Sequence, residues 1–130
     1  MVYMGSKTKY AKYIVPILQK TIDEKEISLY IEPFVGGANI IDKIKCRRRI
    51  GCDKSDTLIA LLSQARDDFS KVLNKHDRSL WDKGKGYVKD GVKPTDMSLA
   101  EIGAIEFFAS FSARGFPGGY IGNISKRNEF

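Results

Sequence analysis

Two acidic residues flank a pair of glycines at spacings that suit ligand binding. Glu32 follows the short apolar segment Leu29–Ile31, and Gly36–Gly37 comes shortly after it. Asp53 stands 21 positions after Glu32, behind a second short segment, Arg48–Cys52. Glycines let the backbone approach a ligand closely, and a carboxylate about 20 residues on, at the next strand end, can accept both hydroxyls of a ribose. The pattern therefore favours a ligand that contains adenosine.

The glycine turn differs from the fingerprint of dinucleotide-binding proteins. That fingerprint is GxGxxG, whereas residues 36–41 read GGANII. A pyrophosphate cradle is therefore disfavoured, and a ligand without phosphates, such as S-adenosylmethionine, fits better. Its methionine amino group also suits an acid such as Glu32. The alternative at this point is an ordinary strand–turn–helix with incidental acids.

The elements around these residues read as alternating helices and strands. Helices are expected over residues 6–22, 38–45 and 55–73, a buried strand over residues 29–31 and a second, short strand over residues 48–52. Ser6 is expected to cap the first helix, and Pro16 either kinks that helix or divides it in two. Alternation of this kind predicts an α/β fold with a mostly parallel sheet flanked by helices.

The rest of the chain changes character after residue 75. Residues 76–93 are polar and rich in Gly and Lys, which predicts an irregular connection or the start of an inserted element. Ser98 and Glu101 have the spacing of a capping box, which predicts a helix behind them. An aromatic, glycine-rich loop follows at residues 111–123. We therefore expect a cofactor-binding part over residues 1–75 and a connection, helix and loop over residues 76–130.

Composition excludes several classes of protein. The chain has 42% apolar and 29% charged residues, which is typical of a folded globular domain. No apolar stretch approaches the roughly 20 residues of a membrane span. Two cysteines and the single histidine, His76, argue against a disulfide framework and a multi-histidine metal site. These features predict a cytoplasmic protein without a metal, and the net charge of +6 permits a polyanionic partner.

Three motifs in order resemble the DNA adenine methyltransferases of bacteria and their phages. They are YMGSK near the N-terminus, YIEPFVGGANI, and IGCDKSDTLIALL. The stretch FFASFSARGFPGGYIGN is also similar to the segment that this family places before its catalytic loop. The resemblance implies a Rossmann-like methyltransferase fold, S-adenosylmethionine as cofactor and double-stranded DNA as partner, in a phage or restriction–modification setting.

The resemblance also implies roles for individual residues. Tyr3 would pack against the cofactor, and Lys7 would lie at the cofactor or target pocket. The cofactor loop would consist of Glu32, Pro33, Phe34, Val35, Gly36 and Gly37. Asp53 would bind the ribose hydroxyls, with Asp56 in support as a cap of the following helix. The family usually has a second glycine where Ala38 or Asn39 stands here.

The family's catalytic tetrapeptide, Asp/Asn-Pro-Pro-aromatic, does not occur in these 130 residues. That motif holds the amine of a flipped adenine. The sequence therefore reads as the N-terminal part of a longer enzyme, and the chain alone is expected to be inactive. The alternative is a decayed or repurposed methyltransferase-like protein that binds cofactor or DNA without catalysis. Another Rossmann-like nucleotide binder is disfavoured by the missing fingerprint.

The aromatic loop is the predicted DNA contact. Arg114, Phe116, Tyr120 and Lys126 could stack on bases and hold phosphates. The alternative is a packed loop whose aromatic side chains fill the core. A sheet with so few strands also leaves an uncovered edge, through which the chain could form a homodimer.

Overall fold

The computed structural model describes residues 4–72 and 77–122. Two compact units are formed, one over Gly5–Lys54 and the other from Ser55 onward. The first contains helix α1 and strands β1 and β2, and the second contains helices α2, α3 and α4. The mixed helix–strand character is confirmed. The full Rossmann-like sheet stays a prediction, as does the functional boundary at residue 75.

Helix α1 spans Thr8–Glu24 and runs unbroken through Pro16, so two separate helices do not form. The predicted cap at Ser6 is wrong, because Lys7 occupies the N-cap position without a side-chain cap bond. Ser6 Oγ instead accepts a hydrogen bond from the backbone N–H of Thr8 at 3.3 Å. The apolar side of α1 forms the core of the first unit with the turn residues Ile40 and Ile44.

Strands β1 (Leu29–Glu32) and β2 (Arg48–Gly51) pair in parallel, with Glu32 opposite Gly51. The predicted burial of β1 is wrong, because Leu29 and Ile31 are 38% and 50% exposed. Successive strand residues point to opposite faces, and Tyr30 packs on the core that α1 supplies. Among the described residues, the face that carries Leu29 and Ile31 is exposed.

The helix predicted over residues 38–45 is wrong, since that segment is a series of turns. Ala38 has φ of +59°, in the left-handed region that a right-handed helix excludes. Glu32 Oε2 accepts a hydrogen bond from the backbone N–H of Ile41 at 3.0 Å. Arg49 donates to the carbonyls of Ile41 and Ile44 at 3.0 and 3.1 Å. Only isolated turn hydrogen bonds form locally, from Asp42 N–H to the Ala38 carbonyl and from Lys43 N–H to the Ile40 carbonyl. Side chains from outside the segment supply the other bonds, while Ile44 still faces the core as predicted.

Helix α2 spans Asp56–Asp67 and ends earlier than the periodicity predicts. Asp68 adopts an extended conformation and caps a short 3₁₀ turn over Phe69–Lys71. Its carboxylate accepts a hydrogen bond from the N–H of Ser70. The predicted end of this helix at Leu73 lies outside the described residues. Ser55 caps α2 by accepting from the N–H of Leu58 at 3.2 Å.

Residues expected to be irregular form helix α3, over Arg78–Asp90. Asp77 caps its N-terminus by accepting from the N–H of Leu80 at 2.9 Å, and Gly91 ends it in the left-handed conformation. Helix α4 spans Leu99–Phe108, and both hydrogen bonds of the predicted Ser98–Glu101 capping box are present. Within the described residues, no helix is both long and apolar enough to cross a membrane.

The second unit has its own apolar core, centred on Trp81 of α3 and on Ile102 and Ile105 of α4. Phe116 packs edge-on against Trp81, with ring centroids 4.8 Å apart. Helices α2 and α4 approach closely at Gly103: a Cβ atom there would lie 2.3 Å from the carbonyl oxygen of Thr57.

Candidate functional site

Glu32 lies at the end of β1 with only 7% of its surface exposed, and hydrogen-bond donors meet both of its carboxylate oxygens. Oε1 accepts from the Lys7 ammonium at 3.0 Å, and Oε2 accepts from the N–H of Ile41 at 3.0 Å. Burial raises the pKa of the Tyr30 phenol, and the nearby Glu32 carboxylate adds to that shift. Burial of a carboxylate is costly unless hydrogen-bond donors of this kind meet it.

The loop after Glu32 is held against the end of β2. The N–H of Val35 donates to the carbonyl of Cys52 at 2.8 Å, and the N–H of Cys52 donates to the carbonyl of Glu32 at 2.9 Å. The N–H of Gly36 donates to Asp53 Oδ2 at 3.0 Å. The two acids that the sequence places at successive strand ends therefore both hold the same loop.

Close packing under this loop explains why a small residue ends β2. An added Cβ on Gly51 would lie 2.9 Å from a methyl carbon of Val35, which is itself buried. Phe34 is in contrast 79% exposed. The loop thus has a fixed backbone, a buried anchor at Val35 and an aromatic ring on its surface.

Two backbone positions in the loop have positive φ, Gly36 at +49° and Ala38 at +59°. Ala38 is one of the two positions where the resembled family has its second glycine. A side chain in this conformation costs of order 1 kcal/mol or more. The departure from the family pattern therefore leaves the backbone conformation typical of glycine in place.

Lys7 approaches the acidic end of β1 from the N-cap position of α1. Its ammonium donates to Glu32 Oε1 and, at 2.7 Å, to the carbonyl oxygen of Phe34. Ser6 next to it accepts a hydrogen bond from the amide of Asn39 at 2.9 Å. These contacts attach the start of α1 to both ends of the loop. Spacing along the chain gives no signal for them.

In the second unit, Asp56 stands in the first turn of α2, next to the capping residue Ser55. Its carboxylate accepts hydrogen bonds from the N–H of Thr57 and from the Tyr87 hydroxyl. Thr57 donates in turn to Glu106 of α4 at 2.7 Å. Burial raises the pKa of the Glu106 carboxyl, the Thr57 hydrogen bond opposes that rise, and the charge of Asp56 adds to it.

The predicted DNA-contact residues of the aromatic loop differ in their exposure to solvent. Arg114 is exposed, whereas Phe116 is buried against Trp81. Tyr120 is half-buried and also packs on Trp81, at 5.5 Å between ring centroids. For these two aromatic residues the packing agrees with the alternative of a loop that fills the core. Phe111, which the sequence argument passed over, is the exposed aromatic of this loop.

Two of the predicted site residues, Tyr3 and Lys126, lie outside the described residues. Within residues 4–72 and 77–122, no cluster of three or more His, Cys, Asp or Glu side chains could hold a metal ion.

Comparison with known protein families identifies the chain. Residues 3–106 match the family of D12 class N6 adenine-specific DNA methyltransferases. The chain belongs to this family. The matched range includes the loop after Glu32, Asp53 and most of α4. Searches of curated proteins and of solved structures found no match.

The donors and acceptors at this loop fit the D12 family's usual cofactor, S-adenosylmethionine. A carboxylate has about four lone-pair sites, and the contacts from Lys7, Ile41 and the Tyr30 phenol leave Glu32 with about one for a ligand ammonium. Asp53 uses Oδ2 for the N–H of Gly36 and stands at the end of the neighbouring strand, where a ribose diol is expected. The residues present therefore suit the cofactor's charge and hydroxyl pattern.

Proposed function

We propose that this chain supplies the cofactor-binding part of a DNA adenine methyltransferase, which transfers a methyl group from S-adenosylmethionine to the exocyclic amine of adenine. The observation that carries the proposal is the loop held between two acids, with Glu32 on the N–H of Ile41 and Asp53 on the N–H of Gly36. In this proposal residues 1–75 form the cofactor-binding part of a Rossmann-like fold. Residues 76–130 begin the region that contacts DNA.

Each part of the site has a chemical task in this proposal. Glu32 accepts the cofactor's ammonium, Asp53 accepts the ribose hydroxyls, and the Gly36–Gly37 backbone lets the ligand approach. The cofactor supplies the electrophilic methyl group on its sulfonium. Catalysis then consists mainly of positioning a flipped adenine in line with that group. Because the amine-holding tetrapeptide is not in these 130 residues, we propose that they do not transfer methyl groups alone.

A non-catalytic binding protein is the second candidate, and the same missing tetrapeptide favours it. Both candidate functions require that the chain binds the cofactor or DNA. Homodimer formation through the uncovered edge of the short sheet stays a prediction.

Calorimetric titration tests the cofactor assignment. The 130-residue chain is expected to bind S-adenosylmethionine and to show no binding of NAD⁺ at the same concentrations, because the loop has no GxGxxG cradle for a pyrophosphate. 5′-Methylthioadenosine, which keeps the ribose and adenine, is expected to bind more weakly than S-adenosylmethionine. Binding of NAD⁺ in preference to S-adenosylmethionine would favour a dinucleotide-binding protein instead.

DNA binding is expected to be weak, with little sequence preference and a strong dependence on salt. The chain carries a net charge of +6, and Arg114 is exposed in the aromatic loop. Loss of one phosphate contact in Arg114→Ala should weaken binding to all sequences similarly and reduce the salt slope by about 1. Fluorescence anisotropy with a labelled duplex, across a salt series, measures both quantities.

Arg66→Ala is the matched control for this experiment. Arg66 is also exposed in the second unit, but its guanidinium pairs with the adjacent Asp67 at 2.7 Å. Its removal should leave the salt slope nearly unchanged. Equal effects of the two substitutions would remove Arg114 from the DNA surface.

A further inference from the structure

An exposed apolar stripe runs along helix α1 of the first unit. Tyr10, Tyr13 and Ile17 are 64%, 61% and 69% exposed. Their spacing of three and four residues makes them neighbours on one side of the helix. The buried residues of the same helix, Ala11 and Ile22, lie on a different side and pack in the core of the unit. We call Tyr10, Tyr13 and Ile17 the α1 stripe.

The α1 stripe is large enough to bind another molecule. Two tyrosines and an isoleucine at these exposures offer on the order of 400 Å² of surface, and patches of that size on monomers are often functional. Thr21 lies one turn beyond Ile17, and its hydroxyl donates to the Ile17 carbonyl at 3.1 Å. A partner can therefore cover this end of the stripe without leaving the hydroxyl unpaired.

The charged residues of α1 are arranged against the helix dipole. The first turn contains no acid and the last turn contains no base. Lys9 and Lys12 instead stand in the first half of the helix, and Asp23 and Glu24 stand at its end. The dipole favours acids at the N-terminus and bases at the C-terminus. An antiparallel copy of the same helix would supply acids at the basic end and lysines at the acidic end.

We propose that two copies of the chain associate through the α1 stripe, with the two helices antiparallel about a two-fold axis. In such an interface every contact occurs twice. With the axis near the middle of the helix, Lys9 of each copy lies opposite Glu24 of the other. Glu24 pairs loosely with Lys20 in its own chain, at 3.7 Å, and both side chains are exposed. Its carboxylate can therefore turn toward the partner at little cost.

A second copy fits the α1 stripe better than nucleic acid does, because Asp23 and Glu24 would repel phosphates. The two stripes together bury on the order of 800 Å², about half of a standard protein interface. The dimer is therefore weak and reversible. Its interface also differs from the uncovered edge of the sheet.

Sedimentation velocity of the full chain over a range of concentrations tests the proposal. The average mass of the parent is expected to rise from that of one chain toward that of two. Ile17→Gln should weaken association about 10-fold or more, which is the scale of an anchor residue lost from an interface. Ile17 is exposed, so the monomer keeps its core, and circular dichroism checks its helix content. Ile31→Gln is the control, since Ile31 is an exposed apolar residue of the sheet.

A charge exchange tests the antiparallel arrangement. Lys9→Glu and Glu24→Lys should each weaken association, because like charges then meet at both symmetric places. An equal mixture of these two variants should associate about as strongly as the parent, since opposite charges meet again. Lys12→Glu changes the net charge equally, but Lys12 lies on another side of the helix. Its mixture with Glu24→Lys should therefore show no recovery.

Four results would overturn the proposal. The first is a parent chain that stays monomeric at every concentration, and the second is a mixture of Lys9→Glu and Glu24→Lys that fails to recover. The third is association that Ile31→Gln abolishes and Ile17→Gln leaves intact, which would assign the interface to the sheet. The fourth is association that requires added duplex DNA, which would make the stripe a nucleic-acid surface instead.

Discussion

Gly103→Ala is expected to lower the free energy of unfolding by about 2 kcal/mol. The new Cβ atom would lie 2.3 Å from the carbonyl oxygen of Thr57 and 2.9 Å from its carbonyl carbon. Both are backbone atoms of α2, so no side chain can rotate away and the helices α2 and α4 must separate. Overpacking of this kind costs about 1–3 kcal/mol. We expect the upper end, reduced by about 1 kcal/mol because alanine favours a helix more than glycine does.

Gly86→Ala gives the matched control for that substitution. Gly86 lies inside helix α3, and an added Cβ there meets nothing within 4 Å. It should raise the free energy of unfolding by about 0.5–1 kcal/mol, the usual difference between the two residues in a helix. Urea denaturation followed by circular dichroism measures both variants. If Gly103→Ala is as stable as Gly86→Ala, the close approach of α2 and α4 does not exist.

The sequence predicts those elements whose signals are local. The apolar periodicity of α1 and α2 and the Ser98–Glu101 capping box of α4 involve residues within a few positions of each other. The glycines and lysines of helix α3 are typical of irregular structure and hide the helix, although Asp77 and Gly91 cap its two ends. These two caps are its local sequence signal.

The helix prediction over residues 38–45 is wrong for a different reason. Its apolar spacing suits a helix, and Ile40 and Ile44 are buried as a helix would bury them. Yet side chains outside the segment bind its backbone. Glu32 accepts a hydrogen bond from the N–H of Ile41, and Arg49 donates to two carbonyls of the segment. A local pattern contains no information on such partners.

In the candidate site, too, the residues with a sequence signal differ from those whose contacts depend on the tertiary structure. Glu32 and Asp53 can be predicted because adjacent parallel strands end at the same edge, and their spacing follows from that topology. The contact of Lys7 with Glu32 spans 25 positions and depends on how α1 begins. Similarly, the burial of Phe116 depends on Trp81 in a helix that the sequence did not predict. Aromatic residues in a glycine-rich loop suit DNA and a core equally well until their neighbours are known.

Asp53→Ala is expected to weaken S-adenosylmethionine binding by about 1.5–3 kcal/mol, which is the scale of hydrogen bonds lost to a charged group. The substitution removes the proposed acceptor of the ribose hydroxyls. It also removes the acceptor for the N–H of Gly36, so the loop loses one of its anchors. Asp53→Asn should lose less, because its amide oxygen can still accept from Gly36 while the charge is gone.

Asp42→Ala separates a local effect from a general change of charge. Asp42 is an exposed acid of the same unit whose carboxylate pairs only loosely with Lys43, at 3.7 Å. Its removal alters the net charge as Asp53→Ala does, yet it should leave the affinity within about 2-fold. Calorimetric titration of the parent and the three variants supplies the comparison, with circular dichroism as the check on folding. If Asp53→Ala binds as tightly as the parent, Asp53 contacts no ribose and does not belong to the proposed cofactor site.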